Sequence, residues 1–130
     1  MKERYFFDEY YCFNKQLIKG RLEKQLGDFG EHLIITILGR MKKYKVFHVD
    51  HEGADLIASE IEDGGSKRRY AISVKAKQFG IDESQNYVFD RNNQIKLTKF
   101  AEDFKAIPVV AEVLIAKDFS FVDVFLISLK

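Results

Sequence analysis

Two charged side chains, Asp55 and Lys75, are of the types that phosphodiester cleavage uses. Asp55 opens an apolar stretch in Gly53-Ala54-Asp55-Leu56-Ile57-Ala58, and Lys75 ends the run Ile72-Ser73-Val74-Lys75. Phosphodiester cleavage needs a hard cation bound through oxygens, a water activated by it, and positive charge against the pentavalent transition state. Asp55 can hold the cation. Lys75 can orient or deprotonate the water, or neutralise developing charge. Glu31 can add a second carboxylate. Each also has a plainer role open to it. Asp55 fits a cap at a strand start, Lys75 a solvated strand lysine, and Glu31 an acid favoured by a helix dipole.

The surrounding elements must decide whether these groups meet. Leu26, Phe29, Gly30, Leu33, Ile34, Ile37, Leu38 and Met41 recur at helical spacing and predict a helix with one apolar stripe. Glu31 falls just off the edge of that stripe. Tyr44 to Val49 alternates and predicts a strand, and Asp55 to Ile61 a second. Asp63, Gly64 and Gly65 then make a turn into a third strand, Tyr70 to Gln78, so the second and third form a hairpin. On the third strand Tyr70, Ile72, Val74 and Ala76 share one face, and Ala71, Ser73, Lys75 and Lys77 the other. Leu97, Phe100, Ala101 and Phe104 mark a second helix, with Gln94 near its start and on nearly the same side. Two apolar strands, 108–116 and 121–129, close the chain. The order predicts an α/β sandwich around a mixed sheet. The hairpin is expected to bring Asp55 and Lys75 to one side of that sheet, with Glu31 reaching over from the first helix.

Taken together these residues resemble the PD-(D/E)XK nuclease superfamily, in particular its small archaeal-type Holliday-junction resolvases. The resemblance runs from about Leu26 to the C-terminus. Gly27-Asp28-Phe29-Gly30-Glu31 looks like the family's first helix with its glutamate, and Gly53-Ala54-Asp55 like the motif aspartate. Ile72-Ser73-Val74-Lys75 looks like the hydrophobic-(D/E)-X-K strand, and Gln94 to Phe104 like the helix that follows it. The resemblance implies a restriction-endonuclease-like α-β-β-β-α-β(-β) sandwich and a divalent-metal-dependent endonuclease acting on DNA, with resolvase-like selection of branched structures as one form. It implies a catalytic group of Glu31, Asp55, Ser73, Lys75 and Gln94. It also implies Mg²⁺ or Mn²⁺ held by Asp55, the Val74 carbonyl and Glu31, with no organic cofactor. Such enzymes work as homodimers. One departure stands out: the family's second acid falls at Ser73, a weak metal ligand beside a carboxylate. Either Glu31 takes over the acidic role, or Ser73 holds a metal-bound water, or the domain has kept the fold and binds nucleic acid or partners without cutting.

The formal net charge over 130 residues is +1, so any basic surface must come from local clustering. Three such clusters are candidates for a phosphate backbone: Lys67, Arg68 and Arg69 after the hairpin turn; Arg91, Lys96 and Lys99 around the start of the second helix; and Lys75 with Lys77. Each also fits ordinary solvated charge. His48, Asp50, His51 and Glu52 form a cluster of ligand types before Asp55. Adjacent loop residues rarely aim at one point, so the expectation for His51 or Glu52 is a contact to DNA or to an outer-shell water rather than a dedicated metal site. Cys12 is the sole cysteine, which excludes an internal disulfide. No apolar run approaches the roughly 18 residues that span a bilayer, and the charged, aromatic N-terminus is not a signal peptide, which makes the cytoplasm the default. Residues 1–20, with Tyr5, Phe6, Phe7, Tyr10, Tyr11 and Phe13, are expected to form an arm that adds to the core or joins two copies, ahead of a nuclease-like domain at 21–130.

Overall fold

Alternation of side chains between two faces in β-type segments, and apolar runs toward the C-terminus, commit five segments of this chain to one sheet. The computed structural model describes residues 19–49, 51–61, 67–79 and 90–129. Over these the elements run α1 (Lys19–Arg40), β1 (Tyr44–His48), β2 (Leu56–Glu60), β3 (Arg69–Phe79), α2 (Arg91–Asp103), β4 (Ile107–Ala116) and β5 (Val122–Ser128). The strands lie in chain order, β1-β2-β3-β4-β5. β1, β2 and β3 form an antiparallel meander, and β5 returns antiparallel along β4. β3 and β4 run parallel. Parallel neighbours need a crossover, and α2 lies on it. The result is the mixed α/β arrangement read from the sequence.

Each helix covers one face. Ile34 and Leu38 of α1 pack on Leu56, Ala58, Ile72, Val74, Val109, Ala111, Val113 and Ile115. Leu97, Phe100 and Ala101 of α2 pack on Ala71, Val110, Ala54 and Ala106. Burying each large aliphatic or aromatic side chain contributes roughly 1.5–3 kcal/mol, so both helices are held chiefly by these stripes. The strand parity read from the sequence holds: even-numbered residues of β3 face α1, and Ala71 faces α2.

α1 begins at Lys19, well before Leu26, so the boundary expected at residue 20 falls inside a helix. Lys19 to Gln25 contains one apolar residue, Leu22, and no periodicity announces a helix there. α2 likewise starts at Arg91, ahead of its apolar stripe, where Asp90 caps it by accepting from Asn92 N–H at 3.3 Å. The arm up to residue 18, Cys12, Asp50 and the Asp63–Gly65 turn lie outside the described residues.

Two glycines mark where backbone meets its neighbour most closely. A Cβ on Gly30 would stand 2.9 Å from Ala76 Cβ and 3.3 Å from Val74 Cγ1, so α1 rests directly on β3 there. A Cβ on Gly53 would stand 2.7 Å from the Lys96 carbonyl oxygen and 2.9 Å from Phe100 Cβ, so the loop before β2 rests on the α2 backbone. These approaches flank Glu31 and Asp55 respectively.

Candidate active site

β2 stops pairing before β3 does. Their ladder runs from Ser59↔Arg69 to Leu56↔Ile72, whereas β3 continues alongside β4 as far as Phe79↔Ala116. Asp55 occupies the edge of β3 just beyond the end of the β2 ladder. Its N–H donates to the Ile72 carbonyl at 2.9 Å, and its carbonyl accepts from Val49 N–H at 2.9 Å. Its Oδ2 accepts from Val74 N–H at 2.7 Å. The carboxylate therefore lies along the strand edge rather than out on either face. A strand residue sends its N–H and C=O to the same side, so the Val74 carbonyl is also directed to this edge.

Glu31 comes from the α1 side, next to the Gly30 contact, and is half-buried. Burial pushes its carboxyl above the ordinary value of 4.5, and the negative charge of Asp55 adds to the rise, while His48 acts the other way. The two acids thus stand within electrostatic reach of each other. Ser73 is buried at 7% exposure, and Lys75 is half-buried. By strand alternation both project to the α2 side. The expectation that Asp55 and Lys75 share one side is met only in part, since the Asp55 carboxylate is in the sheet edge between them and Glu31.

The other candidates divide by position. Gln94 is half-buried in α2, the helix that also brings Lys96 and Phe100 to the loop before Asp55. Lys77 is exposed on the Lys75 face, and Arg91 is exposed at the start of α2. Lys96 lines a cavity of about 320 Å³ with Lys99, His51, Glu52, Gly53, Phe100 and Asp103. Lys67, Arg68 and Arg69 are exposed at the opposite end of β3, since Arg69 pairs with Ser59. Four residues separate Arg69 from Ser73, roughly 13 Å of strand. Arg68 is engaged there with the Tyr70 hydroxyl, which donates to Glu60 Oε1 at 3.0 Å.

The histidine-rich stretch does not converge. His48 packs edge-on against His32 of α1, with centroids 5.8 Å apart. His51 lies against Phe100 of α2 at 4.7 Å, and its Nδ1 accepts from Gly53 N–H at 3.0 Å. The two imidazoles serve opposite helices. Among the described residues no three His, Cys, Asp or Glu side chains gather as a metal centre. What is present is a pair of carboxylates, Glu31 and Asp55, and the Val74 carbonyl. That all-oxygen set fits a cation such as Mg²⁺, which takes one or two carboxylates and keeps several waters; it does not fit zinc.

Sequence reasoning missed Glu112. It is the register partner of Lys75 on β4, and burial pushes its carboxyl up. Adjacent strands in register present their side chains to the same face, so Glu112 and Lys75 are neighbours on the α2 side. A lone acid in the apolar run Ile107 to Ala116 was the available signal.

No protein-family model matches the chain, and a search of the curated proteins finds no match. Among solved structures the comparison shows a fold class first: a mixed-sheet α/β sandwich consistent with the restriction-endonuclease-like fold. One structure that carries this likeness is Hjc, a Holliday junction resolvase from the archaeal hyperthermophile Archaeoglobus fulgidus, at a TM-score of 0.53 and 20% identity. The match covers 76% of this chain and 70% of that one.

Proposed function

We propose that this chain is a divalent-metal-dependent endonuclease that hydrolyses DNA phosphodiester bonds, with resolvase-like selection of branched substrates. The observation that carries this reading is Asp55, pinned at the edge of β3 by Val74 N–H with Glu31 in electrostatic reach. Asp55, the Val74 carbonyl and Glu31 are the groups that would hold Mg²⁺ or Mn²⁺. Such a cation supplies a more acidic water and neutralises charge on the phosphoryl oxygens. Lys75 orients the attacking water, and Glu112 beside it helps to fix the ammonium. Ser73 contributes at most a hydrogen bond, and Gln94 lines the α2 side. Lys77, Arg91 and Lys96 hold the phosphate backbone near the cut, and Lys67, Arg68 and Arg69 hold it further along. The protein acts as a homodimer, for which exposed Phe125, Leu126 and Ile127 on the edge strand β5 offer apolar surface.

A panel of labelled duplex, single-stranded and four-way-junction DNA, incubated with Mg²⁺ or Mn²⁺, tests this. The expected result is metal-dependent cleavage that Asp55→Ala abolishes. Absence of cutting on every substrate would overturn the enzyme reading. Ser73, standing where the family has an acid, favours one second reading: a module that binds DNA without cutting it. Retained binding without cleavage in the same panel is its signature.

A further inference from the structure

Phe119, in the β4–β5 connection, has a φ of 59°. Residues with a Cβ avoid this left-handed region, and turns ordinarily assign it to glycine. Core burial does not compensate, because the residue is 56% exposed. The tip is nevertheless well fixed. Phe119 N–H donates to the Ala116 carbonyl at 2.8 Å, and Ala116 N–H to the Phe121 carbonyl at 3.1 Å. Asp118 Oδ1 accepts from Ser120 N–H at 3.0 Å and from Ser120 Oγ at 2.7 Å. Lys42 and Lys105 adopt the same conformation after the two helices (φ 55° and 52°), so what sets Phe119 apart is that it places a large exposed aromatic in a hydrogen-bonded turn.

Its place in the sheet says what it would meet. β3 and β4 run parallel, and the tip follows the end of β4, where Phe79 pairs with Ala116. Gln78 Nε2 donates to the Lys117 carbonyl at 3.3 Å, which ties the tip to the strand that carries Lys75. From Glu112, level with Lys75, to Ala116 is four residues, roughly 13 Å of strand. That is about four nucleotide steps at ~3.4 Å each. Lys75, Lys77 and Lys117 lie at this end of the two strands with Glu112, Asp118 and Asp123 among them, so the exposed aromatic face and not net charge is what the tip offers a nucleic acid.

We propose that Phe119 is a stacking platform for an unpaired nucleobase of the DNA strand held at Asp55 and Lys75. The proposal rests on the DNA reading above and narrows it to substrates with an unstacked nucleotide a few steps from the cut. An aromatic face stacks on any base that is not already stacked in a duplex. A second protein copy is the poorer fit for this tip. The homodimer surface proposed above is the apolar run Phe125, Leu126 and Ile127 on β5, whereas Phe119 lies in the turn before that strand.

The test is equilibrium binding of the full chain, in EDTA, to a four-way junction and a single strand carrying 2-aminopurine, with blunt duplex as control. Phe119→Ala should weaken binding to the junction and single strand by about 5- to 100-fold and change duplex binding by less than about threefold. Phe119→Trp should retain the parent affinity and the quenching of 2-aminopurine. Phe119→Gly removes the backbone strain, so it should melt no lower than the parent while showing the same binding loss, which separates stacking from misfolding. Equal affinity of parent and Phe119→Ala for every DNA overturns the proposal. So does a dimer that Phe119→Ala dissociates while DNA affinity stays unchanged, since the ring would then be a protein contact. If the parent itself binds none of the DNAs, the nucleic-acid reading fails and takes the proposal with it.

Discussion

Both ends of β3 carry basic side chains, but they are built differently. At the Arg69 end, Lys67, Arg68 and Arg69 are exposed and the strand is laddered to β2. At the far end the β2 ladder has stopped, and the open edge is filled by Asp55 through Val74 N–H. There α1 and the Gly53 loop press against their neighbours so closely that neither glycine can carry a side chain. Charge alone therefore does not mark a site. Confinement of the backbone around a charge does, because it fixes where a carboxylate points before any ligand arrives.

The sharpest way to break this contrast is Asp55→Ala. It removes a carboxylate and no positive charge. Cleavage should fall by at least about 10³-fold, equivalent to ~4 kcal/mol of barrier, while DNA affinity changes by less than about threefold. Single-turnover cleavage and fluorescence anisotropy read the two separately. A variant that cuts as well as the parent would show that the pinned carboxylate is a structural cap.

Gly53→Ala and Gly30→Ala test the confinement itself. At Gly53 the obstacle is the Lys96 backbone and the root of Phe100, neither of which moves cheaply, so the loss should be about 3 kcal/mol in chemical denaturation. At Gly30 the nearest obstacle is the Ala76 Cβ, which cannot move without the β3 backbone, so alanine's better helix propensity offsets only about 1 kcal/mol of the clash and the net loss should be about 2 kcal/mol. Gly39, also in α1, has nothing within 4 Å of an added Cβ. Gly39→Ala should stabilise by roughly 0.5–1 kcal/mol. If all three behave alike, close approach is not what distinguishes this end of the sheet.

Glu31→Gln sharpens the comparison electrostatically. The folded-state pKa of Glu31 is raised by burial and by Asp55. Its favourable contribution is therefore complete below the unfolded value near 4.5 and is lost as pH rises through the folded value. At pH 7 the ionised carboxylate opposes folding, so Glu31→Gln should melt higher than the parent at pH 7 and no higher near pH 4. A cation between the two acids would relieve the repulsion. Added Mg²⁺ or Mn²⁺ should accordingly raise the melting temperature of the parent more than that of Glu31→Gln. Identical metal responses would remove Glu31 from the cation site.

Much of this was legible in the sequence, for identifiable reasons. The alternation of Tyr70 to Gln78 and the stripe positions Leu26, Leu33, Ile34 and Leu38 reflect burial on one face, whereas Phe29 and Met41, read as part of the same stripe, are exposed. The start of α1 at Lys19 was not legible, because a polar helical turn has no apolar period. Asp55 and Glu31 could be named from their motifs. Their mutual approach could not, because it depends on where β2 stops pairing and on how tightly Gly30 seats α1 on β3. Glu112 was hidden for a related reason: register between parallel strands joined by a long crossover is a tertiary fact. The strain at Phe119 is a dihedral property that a phenylalanine in a turn does not advertise.

The smallest expected effect lies at the other end of β3. Lys67 is exposed and stands on the hairpin side of Arg69, away from Asp55. If it touches a phosphate, it does so as a screened surface charge. Lys67→Ala should then lower the slope of log affinity against log salt by about 1 and leave affinity near physiological salt within about threefold. Stability should stay within about 0.5 kcal/mol, because no buried contact is lost. The cleavage rate at saturating DNA should be unchanged, since the charge acts equally on bound substrate and transition state. Single-turnover rates across a salt titration check all of this at once. A rate loss approaching that of Asp55→Ala would mean that the two ends of β3 act on the same phosphate, which their separation along the strand opposes.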